Sequence, residues 1–351
     1  MTSLYGRLCL MKNLRKAFKK ARKGKGTKLY VTEFQKDLEK NLLQLQKELR
    51  KQTYKPCRMR TFVICDPKSR VISASAFRDR VVHHALCNII EPIFDKTFIY
   101  DSYANRKGKG THAALNRFGY FARKVSGNGK LLPYAKNKNQ VYGYVLKADI
   151  RRYFDSVDHE VMMRAISRKI HDEKVIWLAR KILDNHTSEK GMPIGNLTSQ
   201  FFANVYLNEL DYFVKHRLKA KYYIRYVDDF VILHPSKEKL ESFKAAINEF
   251  LKTIKLELHP QKSQVVPLQK GIKLLGFRVF SAYKLPKKSN IKRFEHKIGD
   301  FIQLYRDGIM EKPDILARVN GWNSYAMHAN TYKFRKRSLK NLKKSLNSTK
   351  L

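Results

Sequence analysis

The sequence predicts an α+β fold in which short antiparallel strands alternate with amphipathic helices. Two apolar runs joined by a tight turn within residues 223–233 indicate a β-hairpin. A further apolar run at residues 144–150 indicates another strand, and apolar residues recur at helical spacing in residues 34–49, 77–94 and 202–214. A chain of 351 residues with 43% hydrophobic and 12% aromatic content can bury a full core, and its length indicates two or three subdomains.

The turn of the 223–233 hairpin carries two adjacent carboxylates, Asp228 and Asp229. Adjacent like charges repel each other unless cations hold them, although an acidic pair in a turn is often only solvated. A third acid, Asp149, lies near the end of the strand at 144–150. Three carboxylates at the ends of neighbouring strands suit a pair of Mg²⁺ ions, because hard cations take oxygen ligands and phosphoryl transfer uses two metals about 4 Å apart.

The charge balance is strongly basic, with 73 Lys+Arg against 30 Asp+Glu and a formal net charge of +43. Such an excess would self-repel without a polyanion, which indicates nucleic acid first and an anionic membrane surface second. Four cysteines form no CxxC pair, so we expect free thiols in a reducing cytoplasm. Apolar runs of about 18 residues are absent, so we expect no membrane-spanning helix.

Residues 1–55 are predicted to form a basic N-terminal arm followed by a helix. The cations around Lys19 to Lys25 indicate either a flexible tail or an arm that tracks phosphates, and the sequence does not decide between these. Thr32 and Gln35 have the spacing of a capping box at the start of the helix.

A hairpin is predicted over residues 60–73, with its turn at residues 66–68. Lys68 and Arg70 lie near its tip, where they are suited to gripping a triphosphate, with a solvated loop as the alternative. The helix at residues 77–94 contains His83 and His84, which lack metal-ligand spacing and are interpreted as structural. The glycine-rich loop at residues 103–112 is not a P-loop, and its cations Arg106, Lys107 and Lys109 suit a nucleic-acid backbone.

Aromatic and glycine-rich segments follow Asp149. Phe154 is predicted to form a floor under an incoming sugar, whereas Asp158 is predicted to be the N-cap of a helix. Residues 191–200 are predicted to open a helix at Thr198 or Ser199, a place where backbone amides favour a phosphate.

The C-terminal part is predicted to contain a helix capped by Ser236, a hairpin near residues 271–280 and three short helices near 288–306, 312–328 and 333–346. Cations and aromatic residues alternate in these last helices, which suits a duplex or a single strand. The cations expected to bind nucleic acid there are Lys287, Lys288, Arg335, Lys336 and Arg337.

These motifs, in this order, resemble those of the bacterial, group II intron-like reverse transcriptases over roughly residues 55–285. The matching segments are Tyr226-Val227-Asp228-Asp229, Lys147-Ala148-Asp149-Ile150, Tyr153-Phe154-Asp155, Phe77-Arg78-Asp79-Arg80-Val81-Val82, Gly108-Lys109-Gly110-Thr111, Leu258-His259-Pro260 with Lys262-Ser263, and Leu275-Gly276-Phe277.

The resemblance implies a right-hand polymerase. Its fingers would be residues 56–145, its palm 146–284 with about 160–197 returning to the fingers, and its helical thumb 285–351. Asp149 and Asp228 would ligate two Mg²⁺ ions, for which Mn²⁺ is a possible substitute. The Ile150 carbonyl would assist and Asp229 would complete the acidic cluster.

The resemblance also implies a site for the incoming dNTP. Arg70 would hold the nucleotide, Phe154 would exclude a 2′-hydroxyl, and Lys262 would lie near the triphosphate.

One departure indicates a subclass. Most such enzymes have Gln-Gly at the positions of Ile194 and Gly195, and the Ile-Gly…Ser-Gln variant found here resembles the enzymes of diversity-generating retroelements. That likeness implies a bacterial or phage-encoded cytoplasmic enzyme that copies a template RNA with low fidelity at adenines, together with a small, basic, helical accessory protein. An isoleucine cannot donate or accept a hydrogen bond beside the nascent pair, which would weaken discrimination.

Two alternatives remain open. One is a reverse transcriptase of another bacterial lineage, such as a retron, a defence system or a free-standing intron relative. The other is a non-catalytic RNA-binding relative that kept the fold.

Overall fold

The computed structural model describes residues 3–65, 69–186 and 190–347. Its α-helices are α1 (Leu4–Leu8), α2 (Met11–Arg22), α3 (Leu29–Lys36), α4 (Leu38–Arg50), α5 (Phe77–Asp95), α6 (Thr111–Val125), α7 (Tyr153–Ser156), α8 (His159–Ser167), α9 (Glu173–Leu183), α10 (Leu197–Tyr212), α11 (Lys237–Thr253), α12 (Lys288–Arg306), α13 (Lys312–Ala326) and α14 (Tyr332–Asn347). Its strands are β1 (Arg60–Cys65), β2 (Ser69–Ala74), β3 (Tyr144–Asp149), β4 (Tyr222–Tyr226), β5 (Asp229–His234), β6 (Gln264–Pro267), β7 (Ile272–Leu274), β8 (Phe277–Val279) and β9 (Lys284–Pro286).

The strands form a β1–β2 hairpin, a sheet in the order β4-β5-β3-β6 and a sheet in the order β7-β8-β9. In the second sheet β3 and β6 are antiparallel, with Tyr144 opposite Pro267 and Lys147 opposite Gln264. β5 is apolar and buried between its end residues, as expected of an inner strand. Because β5 lies next to β3, the end of β3 meets the turn that joins β4 to β5. The predicted α+β class with antiparallel pairing is confirmed.

The N-terminal cations up to Arg22 lie on the folded helices α1 and α2. α2 buries Leu14, Ala17, Phe18 and Ala21. The Phe18 ring packs edge-on against Phe77 of α5, with ring centroids 6.0 Å apart. Because the apolar residues of α2 share one helical face, the lysines between them project outward. This packing excludes the flexible-tail alternative for α2.

The predicted capping box at Thr32 and Gln35 is wrong. Thr32 lies inside α3, where its hydroxyl donates to the Leu29 carbonyl at 2.9 Å. Asp37, with φ −113° and ψ 45°, then separates α3 from α4. The apolar spacing of residues 34–49 continues across this break, which is why the sequence indicated a single helix.

Other helix boundaries agree with the prediction. The Asp158 carboxylate accepts from the Val161 amide at 3.0 Å and caps α8, and the Ser236 hydroxyl accepts from the Lys239 amide at 3.0 Å before α11. The bounds of α12, α13 and α14 lie within two residues of those predicted.

α10 begins earlier than its predicted start at Thr198 or Ser199. Asn196 is its N-cap residue, although the Asn196 side chain makes no capping hydrogen bond. Instead, Asn196 Oδ1 accepts from the Ser75 amide at 3.2 Å and from the Ser75 hydroxyl at 2.9 Å. The Asn196 side chain therefore joins the start of α10 to the residue that follows β2, a long-range contact that the local sequence pattern did not predict.

Backbone contacts divide the chain into two compact units. One contains Met1–Gly108, Ala148–Phe230 and Phe243–Ser263, and the other contains Lys109–Lys147, Val231–Ser242 and Gln264–Leu351. In the second unit the last three helices share an apolar core, in which the rings of Phe294 and Trp322 stack with centroids 3.7 Å apart. The boundaries of fingers, palm and thumb stay a prediction.

Among the helices of the described residues, none is long and apolar enough to cross a membrane.

Candidate active site

Asp149 is the last residue of β3, and the segment after α11 holds its backbone. The His259 amide donates to the Asp149 carbonyl at 2.7 Å. The Asp149 amide donates to the Ser263 hydroxyl at 3.3 Å. Residues 258–263, although distant in the sequence, therefore bind the backbone of Asp149 on both sides. These contacts fix the direction in which the Asp149 side chain leaves the sheet.

The turn between β4 and β5 consists of Val227 and Asp228. Val227 has φ +57°, a left-handed conformation that is unfavourable for a β-branched residue. The Asp228 carbonyl accepts from the Ile150 amide at 3.3 Å. The turn is thereby joined to the residue that follows Asp149, so the structure brings Asp149 and Asp228 together from positions far apart in the sequence.

The environment of Asp228 disfavours its negative charge. The pKa of Asp228 is raised from 3.8 to about 6, and burial is the largest cause. The charges of Asp229 and Asp149 also act to raise it, whereas its own backbone amide and Lys262 act in the opposite direction. A carboxylate whose pKa is raised by burial and by the charges of neighbouring acids is typical of a functional site. Its negative charge is poorly compensated by the protein alone.

The carboxylates offer the hard oxygen donors that Mg²⁺ prefers. Lys262 already places a cation beside them, with its Nζ 3.1 Å from Asp149 Oδ1. No three His, Cys, Asp or Glu side chains lie close enough to hold a metal ion together in the ranges that the structure describes. The donor chemistry and the raised pKa of Asp228 fit a cation, but the predicted three-carboxylate cluster is not assembled with the side chains as they stand.

The backbone of Phe154 is bound to the segment that leads to Ile194. The Gly191 amide donates to the Val157 carbonyl and the Met192 amide donates to the Phe154 carbonyl, both at 2.7 Å. Gly191 has φ +91°, and a Cβ atom on it would lie 3.1 Å from the Phe154 carbonyl oxygen. A glycine is needed at this crossing, which joins two of the segments predicted to contact the nucleotide.

Ile194 and Gly195 lie against β2. The Ser73 amide donates to the Ile194 carbonyl at 3.1 Å. Gly195 has φ +120°, and a Cβ atom there would lie 2.9 Å from Ile72 Cγ2. The segment just before α10 therefore packs directly against β2, the strand that contains Arg70.

Arg70 is exposed on β2 and lies opposite Ile64 of β1. The predicted hairpin is confirmed, but its turn, including Lys68, lies outside the described residues.

The cations expected to bind nucleic acid differ in their surroundings. Arg106 has a side chain only 9% exposed, and its Nε lies 2.6 Å from Asp95 Oδ1. Its Nη1 donates to the Ile99 and Ser102 carbonyls at 2.7 and 3.1 Å, so Arg106 ties a loop together instead of facing outward. Of the others, Lys107, Lys288, Lys336 and Arg337 are exposed, whereas Lys109, Lys287 and Arg335 are half-buried.

A cavity of about 890 Å³ lies beside the Gly195 segment. Its lining includes the cations Lys25, Arg58, Arg60 and Arg80, with aromatic rings among them. His83 also faces it, and burial lowers the pKa of His83 to about 3, which keeps the ring uncharged. This agrees with the structural role predicted for that histidine. The cavity combines positive charge with flat apolar surface.

A buried ion pair behind the turn was not identified from the sequence. Arg225 of β4 and Asp211 of α10 have fully buried side chains, and Arg225 Nη2 lies 2.6 Å from Asp211 Oδ2. In the sequence, an arginine just before two acids looks like an ordinary charged turn residue. The available signal was its position, because Arg225 stands between Ile224 and Tyr226 in an apolar strand whose three central residues are all buried.

Residues 64–279 match the protein family described as Reverse transcriptase (RNA-dependent DNA polymerase), and this match covers more than half of the 351 residues. The chain belongs to this family. The reverse transcriptase has the mixed helical and antiparallel fold of a right-hand polymerase, and by class it is an RNA-directed DNA polymerase. The family resemblance deduced from the sequence motifs is thereby confirmed at this level.

Individual relatives of the reverse transcriptase include intron and retron proteins. Protein YkfC of Escherichia coli K12 is 26% identical over 280 residues, which cover 67% of this chain and 70% of YkfC. The group II intron-encoded protein LtrA of Lactococcus lactis is 23% identical over 329 residues, covering 73% of this chain and 51% of LtrA. The retron Ec73 reverse transcriptase of E. coli is 25% identical over 224 residues, covering 59% of this chain and 67% of that enzyme. The chain thus aligns with about half the length of LtrA.

Proposed function

We propose that the protein copies a template RNA into cDNA by two-metal nucleotidyl transfer. In this reaction the primer 3′-hydroxyl attacks the α-phosphate of a dNTP and pyrophosphate leaves. The observation that carries the proposal is the joining of Asp149 and Asp228 through the Ile150 amide, with the pKa of Asp228 raised to about 6. Two mutually repelling carboxylates at a sheet end suit a site whose function requires cations.

Asp149 and Asp228 would hold the ions, the Ile150 carbonyl would assist and Asp229 would add negative charge. When bound, Mg²⁺ or Mn²⁺ would lower the pKa of the primer hydroxyl and neutralise the leaving pyrophosphate. Phe154 and the Gly195 segment would position the sugar and base, Arg70 and Lys68 would hold the phosphates, and Lys262 would move from Asp149 to the triphosphate. Each of these groups would act by orienting the dNTP or its phosphates.

Template RNA and the growing RNA–DNA duplex are the polyanions that this charge balance requires. The cavity beside Gly195, with its cations and aromatic rings, suits a single strand of template. Exposed cations on α12 and α14 suit the backbone of the duplex, which they would contact without reading its sequence.

We further propose low fidelity at template adenines, as part of a diversity-generating retroelement with a small basic accessory protein. The half-buried Ile194, fastened to β2 by its carbonyl, supports this part. An apolar side chain there offers no hydrogen bond to the nascent base pair, so correct and incorrect pairs would differ less in transition-state energy.

The polymerase assignment is tested by Asp228→Ala with a defined RNA template, a DNA primer and Mg²⁺. We expect primer extension to fall by about 100- to 1,000-fold, because the ions would be held by one carboxylate fewer, while template binding is retained. Glu257→Gln is the matched control: it removes an exposed acid paired with Arg151, close in the fold to the residues that follow Asp149, and should leave the rate unchanged. Unchanged extension by Asp228→Ala would show that the metal assignment is wrong.

The fidelity proposal is tested by sequencing cDNA made by the native protein, Ile194→Gln and Ile194→Val. We expect Ile194→Gln to lower misincorporation at adenines, whereas Ile194→Val, which stays apolar and β-branched, should keep the native error spectrum. Equal error rates for the native protein and Ile194→Gln would remove the role of Ile194. High fidelity in the native protein would favour a retron or intron relative instead, and template binding without any extension would favour a non-catalytic RNA-binding protein.

A further inference from the structure

Arg225 is one of the largest fully buried side chains of the described residues, and its carboxylate partner Asp211 is equally buried. Desolvating both charges is expensive, so a buried ion pair contributes little net stability compared with apolar residues of similar size. Arg225 lies two residues before Val227 in the turn that presents Asp228. The presence of this buried arginine so close to the turn therefore indicates a role other than stabilising the fold.

The Arg225 guanidinium donates four hydrogen bonds. Nε donates to Asp211 Oδ1 at 2.7 Å and Nη2 donates to Asp211 Oδ2 at 2.6 Å, which fixes the plane of the fork. The remaining Nη1 donates to Asn204 Oδ1 at 3.0 Å and to the Val227 carbonyl at 3.2 Å. The ion pair therefore aims one N–H at the backbone of the turn.

The bond to Val227 acts where the backbone is strained. Val227 has φ +57°, and a β-branched residue keeps such a conformation only when its surroundings enforce it. The Val227 carbonyl belongs to the peptide unit that leads into Asp228. Holding that carbonyl sets the orientation of this peptide plane, and with it the direction in which the Asp228 side chain leaves the chain.

The two side chains that bind the Arg225 guanidinium are themselves hydrogen-bonded to other parts of the fold. Asp211 also accepts from the Tyr223 hydroxyl at 2.8 Å, and Asn204 donates to the Ala104 carbonyl at 2.8 Å. Both Asp211 and Asn204 lie on α10, whose first residues follow Gly195. The helix that starts at the predicted nucleotide segment thus supports the turn that carries the predicted metal ligand.

We infer that Arg225, held by Asp211 and Asn204, is a positioning residue for nucleotidyl transfer. Its hydrogen bond to the Val227 carbonyl fixes the peptide that follows the left-handed Val227, so that the Asp228 carboxylate is directed toward the proposed metal site that it shares with Asp149. This inference depends on the proposed polymerase reaction. Lysine cannot replace the arginine, because a single ammonium group cannot span Asp211 and reach Asn204 and the Val227 carbonyl in one plane.

The test measures single-turnover primer extension by Arg225→Lys. In such an experiment the rate constant reports how fast the active molecules react, and the amplitude reports how many molecules are active. We expect the rate constant to fall about 100-fold, the size associated with a small misplacement of a reacting group, with the burst amplitude and template affinity close to native. A purely structural role would lower the amplitude and leave the rate constant unchanged, which would overturn the inference.

Arg78→Lys is the matched control, because Arg78 makes a partly buried cluster with Glu48 and the buried Asp79. It should lower the melting temperature but leave the rate constant near native. A comparable fall in the rate constant for Arg78→Lys would overturn the inference, since any weakened arginine cluster would then slow the reaction.

The double variant Arg225→Met with Asp211→Leu covers the case in which Arg225→Lys does not fold. Replacing both charges by apolar groups should keep the protein folded, yet it removes the bond to Val227, so the rate constant should stay low. A folded double variant with the native rate would overturn the inference. If instead the native protein fails to extend primers, the proposed polymerase function fails, and this outcome is distinct from a failure of the Arg225 assignment.

Discussion

At the residue scale, the acids of this protein fall into two electrostatic classes. Burial and neighbouring negative charge raise the pKa of Asp228 to about 6, whereas Asp158 has a lowered pKa because, against the effect of burial, Lys255 and the start of α8 stabilise its charge. Ionisation of Asp228 therefore destabilises the fold, and ionisation of Asp158 stabilises it. The charges of these two carboxylates therefore affect the free energy of unfolding with opposite signs.

Asp228→Asn is expected to stabilise the protein. A raised pKa means that the stability from protonated Asp228 is present below 3.8 and is lost as the pH rises through about 6. At neutral pH and in the absence of divalent cations, Asp228→Asn should raise the free energy of unfolding by about 1–3 kcal/mol, since one pKa unit corresponds to about 1.4 kcal/mol. Urea unfolding at several pH values measures this.

Asp158→Asn provides the comparison of opposite sign. Its lowered pKa means that the stability of charged Asp158 is present above its ordinary pKa and is lost as the pH falls. Asp158→Asn should therefore destabilise the protein at neutral pH. A destabilised Asp228→Asn variant would contradict the electrostatic description of the site.

Mg²⁺ is expected to raise the melting temperature of the native protein, because a ligand that binds only the folded state stabilises it. The shift should shrink in Asp149→Asn and in Asp228→Asn, and the native shift should weaken as the pH falls through about 6, where protons compete for Asp228. Thermal denaturation with and without Mg²⁺ measures this without relying on activity. Equal shifts in all three proteins would place the ion elsewhere.

At the element scale, close packing of the Gly195 segment on β2 sets the geometry beside the predicted nucleotide site. The Ile194 carbonyl and Gly195 contact residues of β2, and the Asn196 side chain binds Ser75 directly after that strand. The β1–β2 hairpin and the start of α10 are therefore joined by a backbone hydrogen bond and by side-chain contacts.

Gly195→Ala should lower the free energy of unfolding by more than the strain of its positive φ alone would, because the added Cβ also meets β2. A Cβ there would lie 2.9 Å from Ile72 Cγ2, in addition to the strain of φ +120°. Gly110 has a similar φ of +126° with open space around it, so Gly110→Ala reports the backbone strain by itself. We expect both variants to be destabilised by about 1–3 kcal/mol, with the larger effect and a raised KM for dNTP in Gly195→Ala. Equal destabilisation would contradict the close approach.

At the scale of the whole molecule, a net charge of +43 dominates encounters with nucleic acid. Not every cation contributes equally, because some are bound internally. Arg106 and Arg225 have mostly or fully buried side chains, whereas Lys288, Lys336 and Arg337 face solvent.

Binding of an RNA–DNA duplex should weaken steeply with salt, by about 1,000-fold or more between about 50 and 200 mM. Replacing Lys288, Lys336 and Arg337 by glutamine should reduce the slope of log K against log salt by about one for each phosphate that these cations neutralise in the native protein. Fluorescence anisotropy measures both effects. The control is Arg180→Gln, whose guanidinium is bound to Glu160, and an equal change in slope for this control would show that the cations of α12 and α14 have no special role.

The amino-acid sequence was sufficient to predict the class of fold, most of the helices and the three candidate acids, and its motifs resemble those of the family to which the chain belongs. The fold class and the acids follow from local physics: apolar residues at a period of two or 3.6, a turn with two carboxylates, and caps such as Asp158 and Ser236. Each can be read within about twenty residues, because the responsible contacts are between near neighbours in the chain.

The folded chain was needed to learn which charges are buried and which partners they have. Arg225 on Asp211, Lys262 on Asp149, Arg106 on Asp95 and Asn196 on Ser75 all depend on segments brought together by folding. A charged or polar side chain looks the same in a sequence whether it is solvated or enclosed. Its function is set by the desolvation and the partners that the assembled fold gives it.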